Sequence, residues 1–176
     1  MIPDPFVEDW FGQASQDVLA TLGQTVADVP GLIVEIGAWT GRSTCALAQA
    51  IHPRIVHSVD TWQGSPSEVS AELAALRDVY TQWQRNVTMF TRGNVIGHRM
   101  GWREFVPTIN QPVALAFIDA EHTYREVYDN IVALRPHLSP GAVLCGDDVH
   151  HQPVRDAVTD ALGSFQQAAT LWIWRA

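Results

Sequence analysis

Short apolar runs alternate with amphipathic stretches along most of the chain. Runs at residues 31–37, 54–60, 95–100, 113–120 and 141–148 read as strands. Several are apolar nearly throughout, as parallel strands covered on both faces must be. Helical spacing marks residues 40–51, 67–84, 103–109 and 124–138 between them, 152–162 after the fifth run and 14–27 before the first. Residues 171–175 read as an edge strand, with a weakly signalled partner around 165–169. Strand–helix alternation with short connections gives right-handed crossovers. The pattern therefore predicts an α/β fold: a doubly wound, mostly parallel, Rossmann-like sheet of about seven strands with helices on both faces.

Length and composition fit one domain over residues 1–176, since a chain of 176 residues that is 47% hydrophobic and 17% charged can bury a full core. Within it, residues 1–29 form an N-terminal helical segment and 61–92 a helical insert over the cleft. The formal net charge of −8 opposes nucleic acid and anionic membranes and favours a small-molecule partner. No apolar run reaches the roughly 18 residues that span a bilayer. Residues 1–10 carry Asp4, Glu8 and Asp9 and no basic residue, unlike a secretory signal, so the expected location is cytoplasmic. Cys45 and Cys145 lie in apolar surroundings and are expected to be buried, reduced thiols. All 11 basic residues are arginines. The missing lysine removes Schiff-base chemistry, a P-loop and a lysine base, and leaves acid–base work to His, carboxylate, Cys or Tyr.

In such sheets ligands bind beyond the carboxyl ends of the strands, and the polar residues gather there. After the first strand comes Glu35-Ile36-Gly37-Ala38-Trp39-Thr40-Gly41-Arg42-Ser43-Thr44, with Glu-x-Gly-x-x-x-Gly spacing. Gly37 and Gly41 let backbone approach a ligand. A pyrophosphate would meet the bulky Trp39, which disfavours NAD or FAD; an ordinary strand–helix turn is the competing explanation. Asp60, in Val59-Asp60-Thr61-Trp62, can accept both ribose hydroxyls of an adenosyl group or cap a helix. Met100 and Trp102, around Gly101, can sandwich a purine or pack in the core. Asp119 ends the fourth run, and Asp147 and Asp148 the fifth. Carboxylates on neighbouring strand ends repel unless paired; a hard divalent cation such as Mg²⁺ resolves this, as would helix capping and salt bridges. His122 can point into the same cleft as ligand or base. His150 and His151, adjacent on an extended segment, would point to opposite sides and are expected to be a solvated pair.

With these residues the chain resembles class I S-adenosylmethionine-dependent methyltransferases, and most closely the small family that includes the macrocin-type sugar O-methyltransferases. The resemblance covers roughly residues 30–158, on Glu35-Ile36-Gly37…Gly41-Arg42-Ser43-Thr44, Asp119-x-x-His122-x-Tyr124 and Gly146-Asp147-Asp148. It implies S-adenosylmethionine as cofactor, held by Glu35, Gly37, Ala38, Trp39, Gly41, Ser43, Asp60, Trp62, Gly101, Trp102 and Asp119. It also implies Mg²⁺ or another divalent cation on Asp119, Asp147 and Asp148. Catalysis would fall to Asp119 and His122, the latter deprotonating a hydroxyl where catechol-type relatives use a lysine. Trp39 departs from a position that is often small, and the large N-terminal region of the macrolide enzymes has no counterpart in these residues, so their sugar-binding features do not carry over.

The expected activity is methyl transfer to a small-molecule acceptor, with divalent-metal assistance. Two alternatives stay open: a metal-independent N- or C-methyltransferase, and a non-catalytic S-adenosylmethionine-binding module. The flanking polar turn at residues 64–66 is expected to act as a hinge that closes Trp62 over the cofactor. A homodimer is left open as the assembly.

Overall fold

The computed structural model describes residues 6–8, 10–66 and 68–176. Seven strands form one sheet in the order β3-β2-β1-β4-β5-β7-β6: β1 (Leu32–Ile36), β2 (Val56–Asp60), β3 (Val95–Arg99), β4 (Val113–Ile118), β5 (Leu138–Gly146), β6 (Gln166–Ala168) and β7 (Leu171–Arg175). Strands β1 to β5 pair in parallel, whereas β7 runs antiparallel to both β5 and β6. The weak signal around residue 167 is thus a short strand. The helices are α1 (Gln13–Thr25), α2 (Arg42–Ile51), α3 (Val69–Leu76), α4 (Val79–Phe90), α5 (Trp102–Phe105), α6 (Tyr124–Leu134) and α7 (Gln152–Leu162). Among the described residues no helix is long and apolar enough to cross a membrane.

Residue alternation along β1 shows how the layers form. Ile33 joins one core layer with Leu19, Leu22, Leu47 and Phe117, under α1 and α2. Val34 and Ile36 join the other, with Phe105, Ile131, Val158 and Trp172, under α5, α6 and α7. Successive side chains on a strand point to opposite faces, so Glu35 shares the face of Ile33 and points at α2. Both thiols are buried, and burial pushes the Cys45 thiol up to about 12, which leaves it inert.

The single helix expected over residues 67–84 is two helices. Arg77 takes an extended conformation, and Asp78 caps α4 by accepting from the Thr81 backbone N–H at 3.0 Å and the Thr81 hydroxyl at 2.7 Å. The helix-like stretches 103–109 and 124–138 likewise each end in a turn of 3₁₀ helix, at Val106–Thr108 and Arg135–His137. Of the expected insert over the cleft, α4 instead packs its Trp83 and Val87 against Ala38, Cys45 and Trp62. Only the connecting loop and the start of α3 reach the cleft.

Candidate functional site

Strand order reverses between β1 and β4, and the space beyond their carboxyl ends is where an open α/β sheet binds ligands. A cleft of about 370 Å³ opens there, a size suited to a small molecule. Gly37, Trp39 and Asp60 line its first part, Gly101 and Trp102 a second, and Asp119 and Glu121 a third. The loop of Gln63, Gly64, Ser65, Pro66 and Glu68 closes one side.

Gly37 is held in place by its neighbours. Its N–H donates to Val59 at 2.9 Å, its φ is +89°, and a Cβ there would collide with the Asp119 carbonyl oxygen. Only glycine lets β1 turn this close to the end of β4. Trp39 follows with φ 44°, a left-handed conformation that a bulky residue adopts only when its surroundings impose it. What imposes it is Asp60. One oxygen accepts from the Ala38 and Trp39 backbone N–H groups, both at 2.8 Å, and the other from the Trp62 N–H at 2.6 Å.

This corrects the reading of Asp60 as a bidentate ribose acceptor. A carboxylate offers about four acceptor positions, and three backbone donors already occupy this one. Burial raises its pKa while these bonds oppose the rise. Asp60 is first a brace for the turn that follows β1.

Five of the expected cofactor-binding residues, Glu35, Ala38, Gly41, Ser43 and Trp62, lie outside the cleft lining. Glu35 is fully buried on the α2 side and accepts from Ser43 at 2.7 Å and from Thr44 and Ser58 at 2.6 Å. Burial raises its pKa against those three bonds. It anchors the turn from behind, and Ser43 spends its hydroxyl on it. Trp62 is buried against Tyr80 and Trp83 at ring distances of 4.7 and 4.8 Å, its indole N–H donating to the Trp39 carbonyl at 2.8 Å. It is an anchor under the loop rather than a lid over the cleft. Gly41 sits at the start of α2 with φ 93°, close to Trp83. Trp102 does reach the cleft, but Arg103 lies 4.3 Å over its ring and its indole N–H donates to Glu126 at 3.0 Å. One face of any purine sandwich is therefore already taken.

The acidic end is built differently. Carboxylate oxygens of Asp119, Asp147 and Asp148 all lie within 4.8 Å of one another. The backbone forces this: the Asp119 N–H donates to Ile36, and the Asp147 N–H to Ile118, carrying the ladder past the strand ends. Asp148 has φ 59°. Asp147 accepts the Thr170 hydroxyl, which in turn pairs with Ser15 at 2.7 Å. The charge of the cluster is met by His122, whose Nε2 is 2.8 Å from Asp148 and 3.6 Å from Asp119. Its Nδ1 is 3.0 Å from Glu68, which also accepts the His122 backbone N–H at 3.2 Å. Burial alone would lower the His122 pKa, but Asp119 and Asp148 outweigh it and hold the imidazolium up to about 11. Burial raises Asp119, with Asp147 and Asp148 adding to the rise. Burial works against Asp148 too, yet its contact with His122 keeps it below the usual carboxylate range.

Sequence reasoning missed Glu68, which comes from the loop before α3 and meets His122 across 54 residues. It also missed Glu8. That side chain joins Arg77 at 2.6 Å and the Trp39 indole N–H at 3.2 Å, strapping the N-terminal segment onto the turn. Trp10 stacks on Trp39 beside it.

A family model described as a methyltransferase domain matches residues 34–149. Among solved structures, the O-methyltransferase NovP is similar with a TM-score of 0.66 at 22% identity, over 92% of this chain and 79% of that one. The calicheamicin methyltransferase CalS11 is similar with a TM-score of 0.67 at 19% identity, over 94% of this chain and 80% of that one. The O-methyltransferase TomG from Streptomyces achromogenes, involved in tomaymycin synthesis and solved in complex with SAM, gives 0.63 at 17% identity, over 83% and 65%. No curated protein matches the sequence.

Proposed function

Because this chain belongs to the methyltransferase domain family, we propose that it transfers the methyl group of S-adenosylmethionine to a hydroxyl of a small molecule, with a divalent cation at the acidic end of the cleft. One observation carries the reading. Asp119 lines the same cleft at the topological switch as the turn braced by Asp60, and Asp147, Asp148 and His122 gather around Asp119.

In this reading the backbone of Gly37, Ala38 and Trp39 holds the methionine end of the cofactor, and Asp60 contributes to the ribose with no more than its last acceptor position. Met100, Gly101 and Trp102 flank the adenine. S-adenosylmethionine supplies a methyl group that is already activated, so the chain's own work is positioning. Asp119, Asp147 and Asp148 fit a hard cation, since they are all-oxygen donors drawn together by backbone bonds. Such an ion supplies Lewis acidity and orientation for the acceptor hydroxyl. Bound there, it would also supply the positive charge that the imidazolium supplies here, and His122 would stand as a neutral base. His122 then takes the hydroxyl proton at Nε2, while Glu68 fixes the ring through Nδ1.

The charge balance within the cluster favours a second reading. His122 already gives Asp119 and Asp148 a positive partner, and Asp147 accepts the Thr170 hydroxyl, which suits a methyltransferase that needs no metal. Methyl transfer to a panel of hydroxylated acceptors, with Mg²⁺ or with a chelator, separates the two. Transfer that is lost with the chelator and restored by Mg²⁺ is expected. Undiminished transfer in the chelator overturns the metal-assisted reading and leaves the metal-free one.

A further inference from the structure

His150 and His151 do not lie on an extended segment. The His151 N–H donates to the Asp148 carbonyl at 2.8 Å, closing a turn that leads into α7. This turn brings the His151 ring to His122, whose ring it meets edge-on at 5.8 Å. Donor atoms of His122, Asp148 and His151 all lie within 4.8 Å of one another.

We propose that His122, Asp148 and His151 form a second cation site, with two nitrogens and one oxygen, that takes a borderline divalent ion of the Zn²⁺ class. Imidazole suits Zn²⁺, Ni²⁺ and Co²⁺, whereas Mg²⁺ keeps to oxygen. His122 Nε2 and Asp148 Oδ2 are already neighbours at 2.8 Å. The His151 ring is exposed, and a rotation about its side-chain bonds would set the donor separation of about 3.4 Å that bonds of about 2.1 Å require in a tetrahedral site. A second, independent feature points the same way. Glu68 Oε1 sits 3.0 Å from His122 Nδ1, which leaves Nε2 facing the cluster. Carboxylates that hold the far nitrogen of a ligating histidine in this way orient the ring and raise its basicity. Three protein donors would leave a coordination position open to solvent.

The two sites share Asp148, so they compete for it and sort ions by softness. Because such a borderline ion would also take Nε2 of His122, Zn²⁺ is expected to inhibit methyl transfer where Mg²⁺ supports it. That consequence rests on the proposed function; the binding site does not.

The test is direct titration of the full chain with Co²⁺, followed by its visible absorption, with Zn²⁺ as competitor. Binding of one Co²⁺ per chain is expected, displaced by Zn²⁺. Asp119→Asn should retain it, and His151→Gln should weaken it by more than about tenfold, as loss of a ligand must if outer-shell changes alone cost 10–100-fold. His151 is exposed, so the variant's fold, checked by circular dichroism, should match the parent. Co²⁺ that binds His151→Gln as tightly as the parent, that is lost in Asp119→Asn, or that does not bind the parent overturns the site. Mn²⁺ binding followed by electron paramagnetic resonance reports the carboxylate cluster separately. A chain that takes Co²⁺ through His151 but takes no Mn²⁺ upholds this site while removing support from metal-assisted transfer.

Discussion

The two ends of the cleft both rely on buried carboxylates, and they neutralise them by opposite means. At the β1 end, Glu35 is satisfied by three hydroxyls and Asp60 by three backbone N–H groups. No side-chain cation takes part in these bonds. At the β4 and β5 end, Asp119 and Asp148 are balanced by the imidazolium of His122, and Asp147 by a hydroxyl. Fixed dipoles make the first end rigid. A side-chain imidazolium makes the second end exchangeable, because another cation can take its place. The difference teaches where binding geometry ends and chemistry begins in the proposed reaction.

The largest expected effect comes from removing that cation. His122→Ala should slow methyl transfer by about 10²–10⁴-fold, the range for a lost general base. It should also leave the three carboxylates without a counter-charge, so that Mg²⁺ raises the melting temperature of the variant more than that of the parent. Thermal scans across an Mg²⁺ series check this; an equal or smaller rise in the variant breaks the contrast between the two ends.

Next comes Glu35→Leu, which strands three buried hydroxyls and should cost about 2–4 kcal/mol in urea unfolding, with no rescue by Mg²⁺. Glu35→Gln should cost less. Its comparison with the parent also depends on pH in a definite direction. Burial raises the folded-state pKa of Glu35 above 4.5. The parent's stability from this group is therefore complete below 4.5 and is lost as pH rises through the folded value. Glu35→Gln lacks that loss, so the stability difference should move in its favour as pH rises. A pH-independent difference would contradict the placement of an ionisable group there.

Asp60→Ala should weaken S-adenosylhomocysteine binding by about 1–3 kcal/mol, because it releases the turn that presents Gly37 to Trp39. Isothermal titration gives the value, and an unchanged affinity would show that the turn holds without its brace. The smallest effect is expected from Glu68→Gln. It keeps a hydrogen-bonding partner for His122 but removes its charge, and should slow transfer by about tenfold while sparing cofactor affinity. A rate equal to the parent's would remove Glu68 from the reaction.

Much of this architecture is legible in the sequence because it rests on period and position. Strand–helix alternation gives the sheet, and the residues that end each apolar run mark the cleft. The orientation of Glu35 is not legible in the same way, since β1 is buried on both faces and its pattern lacks a polar side. The fate of Asp60 depends on donors 21 and 22 residues away, and Glu68 meets His122 only through the fold. Glycine and proline after Trp62 suggest a hinge, yet its ring is fixed by Tyr80 and Trp83. The break between α3 and α4 was readable: Asp78 before Val79 is a helix-starting residue in a starting position. The direction of His151 is not legible in the sequence, because a turn closed by its N–H on the Asp148 carbonyl, rather than an extended segment, sets it.

The central claim is that this cleft holds the adenosyl cofactor of methyl transfer. Calorimetric titration of the chain with S-adenosylhomocysteine, with NAD in a parallel titration, tests it most directly. The account predicts saturable binding of one S-adenosylhomocysteine per chain and no heat from NAD. A chain that binds NAD, or that gives no heat with S-adenosylhomocysteine at any Mg²⁺ concentration, would contradict it.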